Sequence, residues 1–298
     1  SMESIRTEAI NGYNETLGMI RSAQLKHINT QEYFVSLAAF CDCGIQMIYD
    51  RTPIKDAENL INETFLTGQH GMKYLTLGSM LLKFPNHDNP DNYYRELDIE
   101  KAVAKVRYVK NGVTYTRTTF SSFADDVIIV RLEASEAKAL DFSLGYNCPL
   151  ESQVQVKGNK MIVQCKGVEH EGIPAAMHAE CQIQVKTDGK LKKNGQELNV
   201  QGATSATLYI SAATNFVNYK DVTGNASKRA AESLKKAVKR NYNDALAAHV
   251  AAYKEQFDRV SFKLPYTSDS RKETDVRVAN FQKGNDPHLA ALLFQYGR

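Results

Sequence analysis

Residues 170–181, HEGIPAAMHAEC, gather two imidazoles and two acidic side chains: His170, Glu171, His178 and Glu180. Imidazole and carboxylate at close spacing can hold a divalent metal or pass a proton. If the segment from His178 is a strand, His178 and Glu180 fall on one face. A metal needs a third or fourth ligand at set spacing, and no such spacing is present. The leading reading is ordinary polar positions on a loop and a strand surface. The rival is an independent metal-dependent enzyme using His170, Glu171 and His178.

YYRELDIE at 93–100 places Arg95 and Glu96 beside Asp98. Paired carboxylates can cleave a glycosidic bond, but these two sit too close along one strand to admit a sugar between them. Arg95 would also lower their pKa values, the wrong direction for a general acid. A structural ion pair is the expectation. Cys41-Asp42-Cys43 leaves one residue between thiols where a zinc knuckle wants two to four, so buried small hydrophobes fit better. Asp125-Asp126 reads as a turn, and Lys235, Lys236, Lys239 and Arg240 as a solvated helix face. There is no phosphate loop, no dinucleotide fingerprint and no serine-nucleophile elbow. Catalytic residues, cofactor-binding residues and metal ligands are therefore all set at none.

The elements that carry these residues follow from composition and period. The chain has 298 residues, 43% hydrophobic and 24% charged, with a net charge of +3. That supports a packed core and argues against nucleic acid as a partner. No apolar run is long enough for a membrane span. Five cysteines, an odd and sparse set, argue against a disulfide framework. The opening Ser1-Met2 reads as an expression remnant, so this end does not report localisation.

Residues 1–46 show neither alternation nor a helical stripe. Over 52–65, Thr52 as cap, Pro53 at the first helical position and Ala57, Leu60, Ile61 and Phe65 on one face predict a short helix. From Tyr74 the period becomes two. Strands are expected at 74–84, 102–109, 113–120, 127–134, 140–147, 152–157, 160–166, 178–187, within 190–201, and at 205–216. Asn111-Gly112, Gly158-Asn159 and Asn194-Gly195 mark hairpins. No helix interrupts 74–216, so the sheets are antiparallel. A helical hairpin follows at 227–242 and 243–260, with Asn243 or Asp244 as the cap between its helices. VSFKLPY (260–266) reads as a strand and 267–286 as a polar connector. Asp286 and Pro287 then start a helix whose apolar stripe, Leu289, Leu292, Leu293 and Tyr296, runs to the last residues.

Taken in order, several stretches resemble the front of glycoside hydrolase family 95, the inverting α-L-fucosidases. They are YLTLGSMLLKF, the long run YYRELDIEKAVAKVRYVKNGVTYTRTTFSSFADDVIIVRLEAS, ATLYISAATNF, HVAAYKEQFDRVSFKL and TDVRVANFQKGNDPHLAALLFQYGR. The likeness runs from about Ile48 to Arg298. It departs at the front, where the family has a Gly-rich stretch and a Trp-containing segment, and this chain has no Trp.

The resemblance implies a mainly β fold: a large antiparallel β-sandwich, or super-sandwich, with a helical hairpin and a C-terminal linker helix. The expected domains are 1–68, an atypical segment with a short helix; 69–266, the sandwich including the hairpin at 227–259; and 267–298, a linker into a missing helical (α/α)6 catalytic barrel. The family's catalytic residues lie in that barrel, so none is carried over. The chain alone is expected to be inactive, as the truncated front of a bacterial, periplasmic or secreted enzyme. The missing barrel is the expected partner, and fucosylated glycans are another. The C-terminal stripe would otherwise favour self-association. A carbohydrate-binding module is the alternative, with Tyr93, Tyr94, Tyr115 and Tyr146 as stacking candidates.

Overall fold

A computed structural model of the protein describes residues 76–170 and 172–297, together with Lys55 and Asn59 on the preceding segment. Residues 1–46, with Cys41 and Cys43, lie outside the described residues. So does most of the helix expected over 52–65, of which Lys55 and Asn59 are helical and exposed.

The alternating runs form twelve strands among the described residues. They are β1 (Ser79–Lys83), β2 (Asp91–Asp98), β3 (Val103–Lys110), β4 (Val113–Ser122), β5 (Val127–Ala134), β6 (Leu140–Asn147), β7 (Ser152–Lys157), β8 (Lys160–Lys166), β9 (His178–Thr187), β10 (Lys190–Asn194), β11 (Glu197–Ala203) and β12 (Ser205–Thr214). Two antiparallel sheets result. One has four strands in the order β1-β6-β11-β10; the other has eight in the order β2-β3-β4-β5-β12-β9-β8-β7. The β3–β4 turn is Asn111-Gly112, both at positive φ (51° and 77°), the backbone that a tight hairpin of this hand requires.

Alternation decides what each face buries. Leu132, Leu208, Ile183 and Val163 of the large sheet meet Phe142, Leu144 and Leu198 of the small one in the main core. The opposite face of the large sheet buries Phe120, Ile129 and Tyr209 against two helices, α1 (Ala226–Ala237) and α2 (Tyr242–Phe257). Ala230, Leu234 and Ala237 supply the buried stripe of α1. The cap of α2 is Asn241, not Asn243 or Asp244. Its Oδ1 accepts from Asp244 N at 2.9 Å, and its amide donates back to the Asp244 carboxylate.

Two expectations fail after the hairpin. Residues 260–266 pair with no strand among the described residues. Phe262 is apolar there because its ring packs on Phe294, 5.3 Å between centroids. The connector at 267–286 holds a 3-10 turn (Asp269–Arg271) and a helix, α3 (Thr274–Asn280). This helix was hidden because its inward residue is charged. Buried Arg277 donates to both oxygens of Asp286, at 2.7 and 3.1 Å. Asp286 in turn caps the last helix, α4 (Pro287–Tyr296), through Leu289 N. On α4, Ala291 is buried, while Leu293 and Tyr296 are 70% and 65% exposed. Among the described residues no helix is long and apolar enough to cross a membrane.

Leu208 is fully buried between the sheets. Leu208→Ala should cost about 2–5 kcal/mol, read as a shift in the urea midpoint at constant slope. The Arg277 guanidinium holds the Asp286 carboxyl below its ordinary value. A depressed carboxyl contributes stability above its unfolded value and loses it as pH falls through the folded one. Asp286→Asn keeps the cap but removes the charge. The melting temperatures of the protein and of this variant should therefore differ most above about pH 4 and converge below it.

Candidate functional site

On the helix-facing side of the large sheet, a groove of about 690 Å³ runs between β7, β8 and β9 and the start of α1. Strand pairing assembles its floor. Gln164 on β8 lies opposite Glu180 on β9, and Lys166 lies opposite His178. The Glu180 carboxylate, 3% exposed, accepts from Gln164 Nε2 at 2.9 Å and from Gln182 Nε2 at 2.6 Å. Its hydrogen-bond partners are neutral amides, and no cation among the described residues pairs with it. Asn225 caps α1 by accepting from Lys228 N at 2.8 Å, so the electropositive end of the helix opens onto the same groove. Lys166 and Glu151 form an ion pair at the rim, 3.9 Å apart.

Asn215 holds the rim together. It is buried at the end of β12, and its side-chain oxygen accepts from His178 N at 2.9 Å. Its amide donates to Ala176 O at 2.8 Å and Val222 O at 2.7 Å. One side chain thus ties the loop before β9 to the loop before α1. Such a groove can hydrogen-bond a polar molecule. The two amides hold the Glu180 carboxylate in place at the groove floor.

The residues singled out in the sequence separate in space. His178 and Glu180 share one face of β9 as expected, His178 exposed and Glu180 buried. His170 instead closes a tight loop, with backbone bonds in both directions to Ile173. Glu171 lies outside the described residues. No group of three or more His, Cys, Asp or Glu among the described residues is placed to hold a metal. Of the four stacking candidates, Tyr93 and Tyr94 are exposed on β2. Tyr115 and Tyr146 are not platforms: both pack into the sandwich core, with hydroxyls bonded to Ala139 O and Leu77 O. The Lys/Arg run expected as a solvated helix face lies partly beyond α1, with Lys239 and Arg240 in the turn after it, and it is only partly solvated. Lys236 donates to Ala124 O at 3.1 Å, and Arg240 bridges to buried Asp125 at 3.3 Å.

Two motifs far apart in sequence prove to be one contact. Asp98 shapes the turn after β2. Its Oδ1 accepts from the backbone N–H groups of Glu100 and Lys101, at 3.1 and 3.2 Å, and its Oδ2 from Lys101 Nζ at 2.6 Å. Burial works to raise this carboxyl, but the Lys101 ammonium and the two N–H groups outweigh it and hold it low. The ion-pair partner is Lys101, where the sequence pointed to Arg95. The carbonyls of this turn then receive α2. His249 Nε2 lies 3.0 Å from Lys101 O and 3.2 Å from Ala102 O, and Tyr253 donates to Ile99 O at 2.7 Å. The rings of His249, Tyr253 and Phe257 stack in succession along the helix. His249 is buried, with its ring 4.9 Å from that of Phe120. Sequence reasoning gave it no role, although its spacing from Tyr253 and Phe257 was a signal.

Residues 44–219 match the model described as glycosyl hydrolase family 65, N-terminal domain, and the chain belongs to that family. Residues 241–298, from the α2 cap onward, match the glycosyl hydrolase family 95 catalytic domain. The chain is 30% identical over 266 residues to alpha-L-fucosidase 2 of Arabidopsis thaliana, covering 78% of this chain and 32% of the relative. It is 23% identical to the probable alpha-fucosidase A of Aspergillus niger over 241 residues, with 76% and 30% covered. The corresponding protein of Aspergillus oryzae is also 23% identical, over 239 residues, with 75% and 33% covered. The chain thus spans about a third of the length of the curated relatives it matches. These matches support a relationship to the fucosidases among glycoside hydrolases.

Asn215→Ala would leave a buried N–H and two carbonyls without their partner. It should lower stability by about 1–3 kcal/mol in urea unfolding and speed exchange of the His178 amide hydrogen.

Proposed function

We propose that this chain is the non-catalytic sandwich portion of a family 95 fucosidase-like hydrolase whose parent cleaves terminal α-L-fucosides with inversion. The observation that carries this reading is the family 95 match over 241–298 and what its residues do. His249 and Tyr253 fasten α2 to the turn after β2, and Arg277 with Asp286 fixes the start of α4. These charged and polar groups are engaged in joining elements. Leu293, Phe294 and Tyr296 remain exposed on α4, an apolar face suited to a helical barrel. The sandwich then acts as a scaffold for that barrel, and fucosylated glycans are the substrate of the whole.

An aryl α-L-fucoside offered to the 298-residue chain and to a longer product of the same reading frame tests this. Release of the aryl alcohol by the longer protein alone is the expected result. Turnover by the 298-residue chain would overturn the scaffold reading, and silence from both would overturn the fucosidase assignment of the parent.

A further inference from the structure

The geometry points to an inter-sheet disulfide between Cys148 and Cys165, formed by exchange with a small-molecule disulfide. Cys148 follows directly on β6 of the four-stranded sheet, and Cys165 lies within β8 of the eight-stranded sheet. Their sulfurs are 3.2 Å apart, and both approach the carbonyl of Leu77, at 3.2 and 3.8 Å. A disulfide needs sulfurs about 2.05 Å apart, so roughly 1 Å separates this pair from bonding distance. The third described cysteine, Cys181 on β9, is buried and associates with the Tyr146 hydroxyl.

The two thiols differ in a way that orders the chemistry. Cys165 is 3% exposed, and burial, with the neighbouring Cys148, pushes its pKa up to about 12. Cys148 is half-buried and meets solvent first. Exchange runs through the thiolate. Cys148 loses its proton to solvent and attacks one sulfur of oxidised glutathione. That S–S bond breaks, one glutathione thiolate leaves, and a mixed disulfide remains on Cys148. Cys165 then attacks the Cys148 sulfur, its proton passing to the departing glutathione sulfur, and the second glutathione leaves as the thiol. The balance is two cysteine thiols oxidised to one disulfide, and one glutathione disulfide reduced to two thiols. The product staples the end of β6 to β8 across the main core and closes the loop that carries β7.

The test is peptide mapping of the folded 298-residue chain after incubation with oxidised glutathione, alkylation of remaining thiols and tryptic digestion. The expected species joins residues 139–157 to residues 161–166, at about 2 Da below the summed masses of the two thiol peptides. The melting temperature should rise by roughly 5 °C or more, and reductant should reverse both changes. Cys148→Ser, a half-buried and shape-conserving change, should abolish both effects, whereas Cys181→Ser should leave the cross-link intact. Alkylation of both Cys148 and Cys165 after oxidation would overturn the proposal. So would a cross-link through Cys181, or a glutathione adduct that persists on Cys148. The mapping of the unaltered protein decides the matter even if a variant fails to fold.

Discussion

The structure depends on one constraint: the middle strands of the large sheet are buried on both faces. β5 sends Val130, Leu132 and Ala134 into the core between the sheets, and Val127 and Ile129 towards the helices. β12 does the same with Ala206 and Leu208 on one side and Tyr209 on the other. Enclosure on both faces favours apolar residues at successive positions, as in Val127-Ile128-Ile129-Val130 and Leu208-Tyr209-Ile210. The helical hairpin is therefore part of the sandwich's own solvation. Without α1 and α2, Phe120, Ile129 and Tyr209 would face water.

The helix-facing side nevertheless carries polar groups, and each needs a partner to remain there. Arg131 donates to Thr207 at 2.9 Å and lies over the Tyr242 ring, 5.5 Å from its centroid. Lys186 lies 5.5 Å over Tyr209 and donates to the Val238 carbonyl at the end of α1. Cation–π contacts and directed hydrogen bonds fix how the hairpin sits, which apolar contact alone would leave loosely specified. Glu180 with its two amides, and Asn215 with its three backbone partners, do the same for the groove. Polar detail positions the helices, and apolar area holds them.

Most strand positions were legible because alternation and Asn-Gly turns are local signals; β5 to β9 fall where their periods place them. The assignment of strands to sheets was not. β6 pairs with β1 and β11, and β5 pairs with β12, partners far away along the chain. The failures also have physical causes. Alternation in 260–266 reflects packing against α4 instead of a ladder, and α3 buries an arginine that reads as solvent-facing until Asp286 is found opposite. At the groove, the shared face of His178 and Glu180 followed from the period of a strand. The burial of Glu180 did not, because Gln164 reaches it from a neighbouring strand. Asn215 looks like any loop asparagine until three backbone groups converge on it.

The order of the large sheet has a consequence for how the protein is made. β2 to β5 form one meander of consecutive strands and β7 to β9 another, each able to pair soon after synthesis. β12 alone joins them, aligning with β5 from Ser205 opposite Glu133 and with β9 from Ala206 opposite Thr187. Until β12 leaves the ribosome, the growing chain carries two half-sheets whose free edges, β5 and β9, are strands the finished fold largely buries. Those edges are the ones most prone to pair with another chain. The arrival of a single ten-residue strand ends that exposure and permits the hairpin to dock behind it.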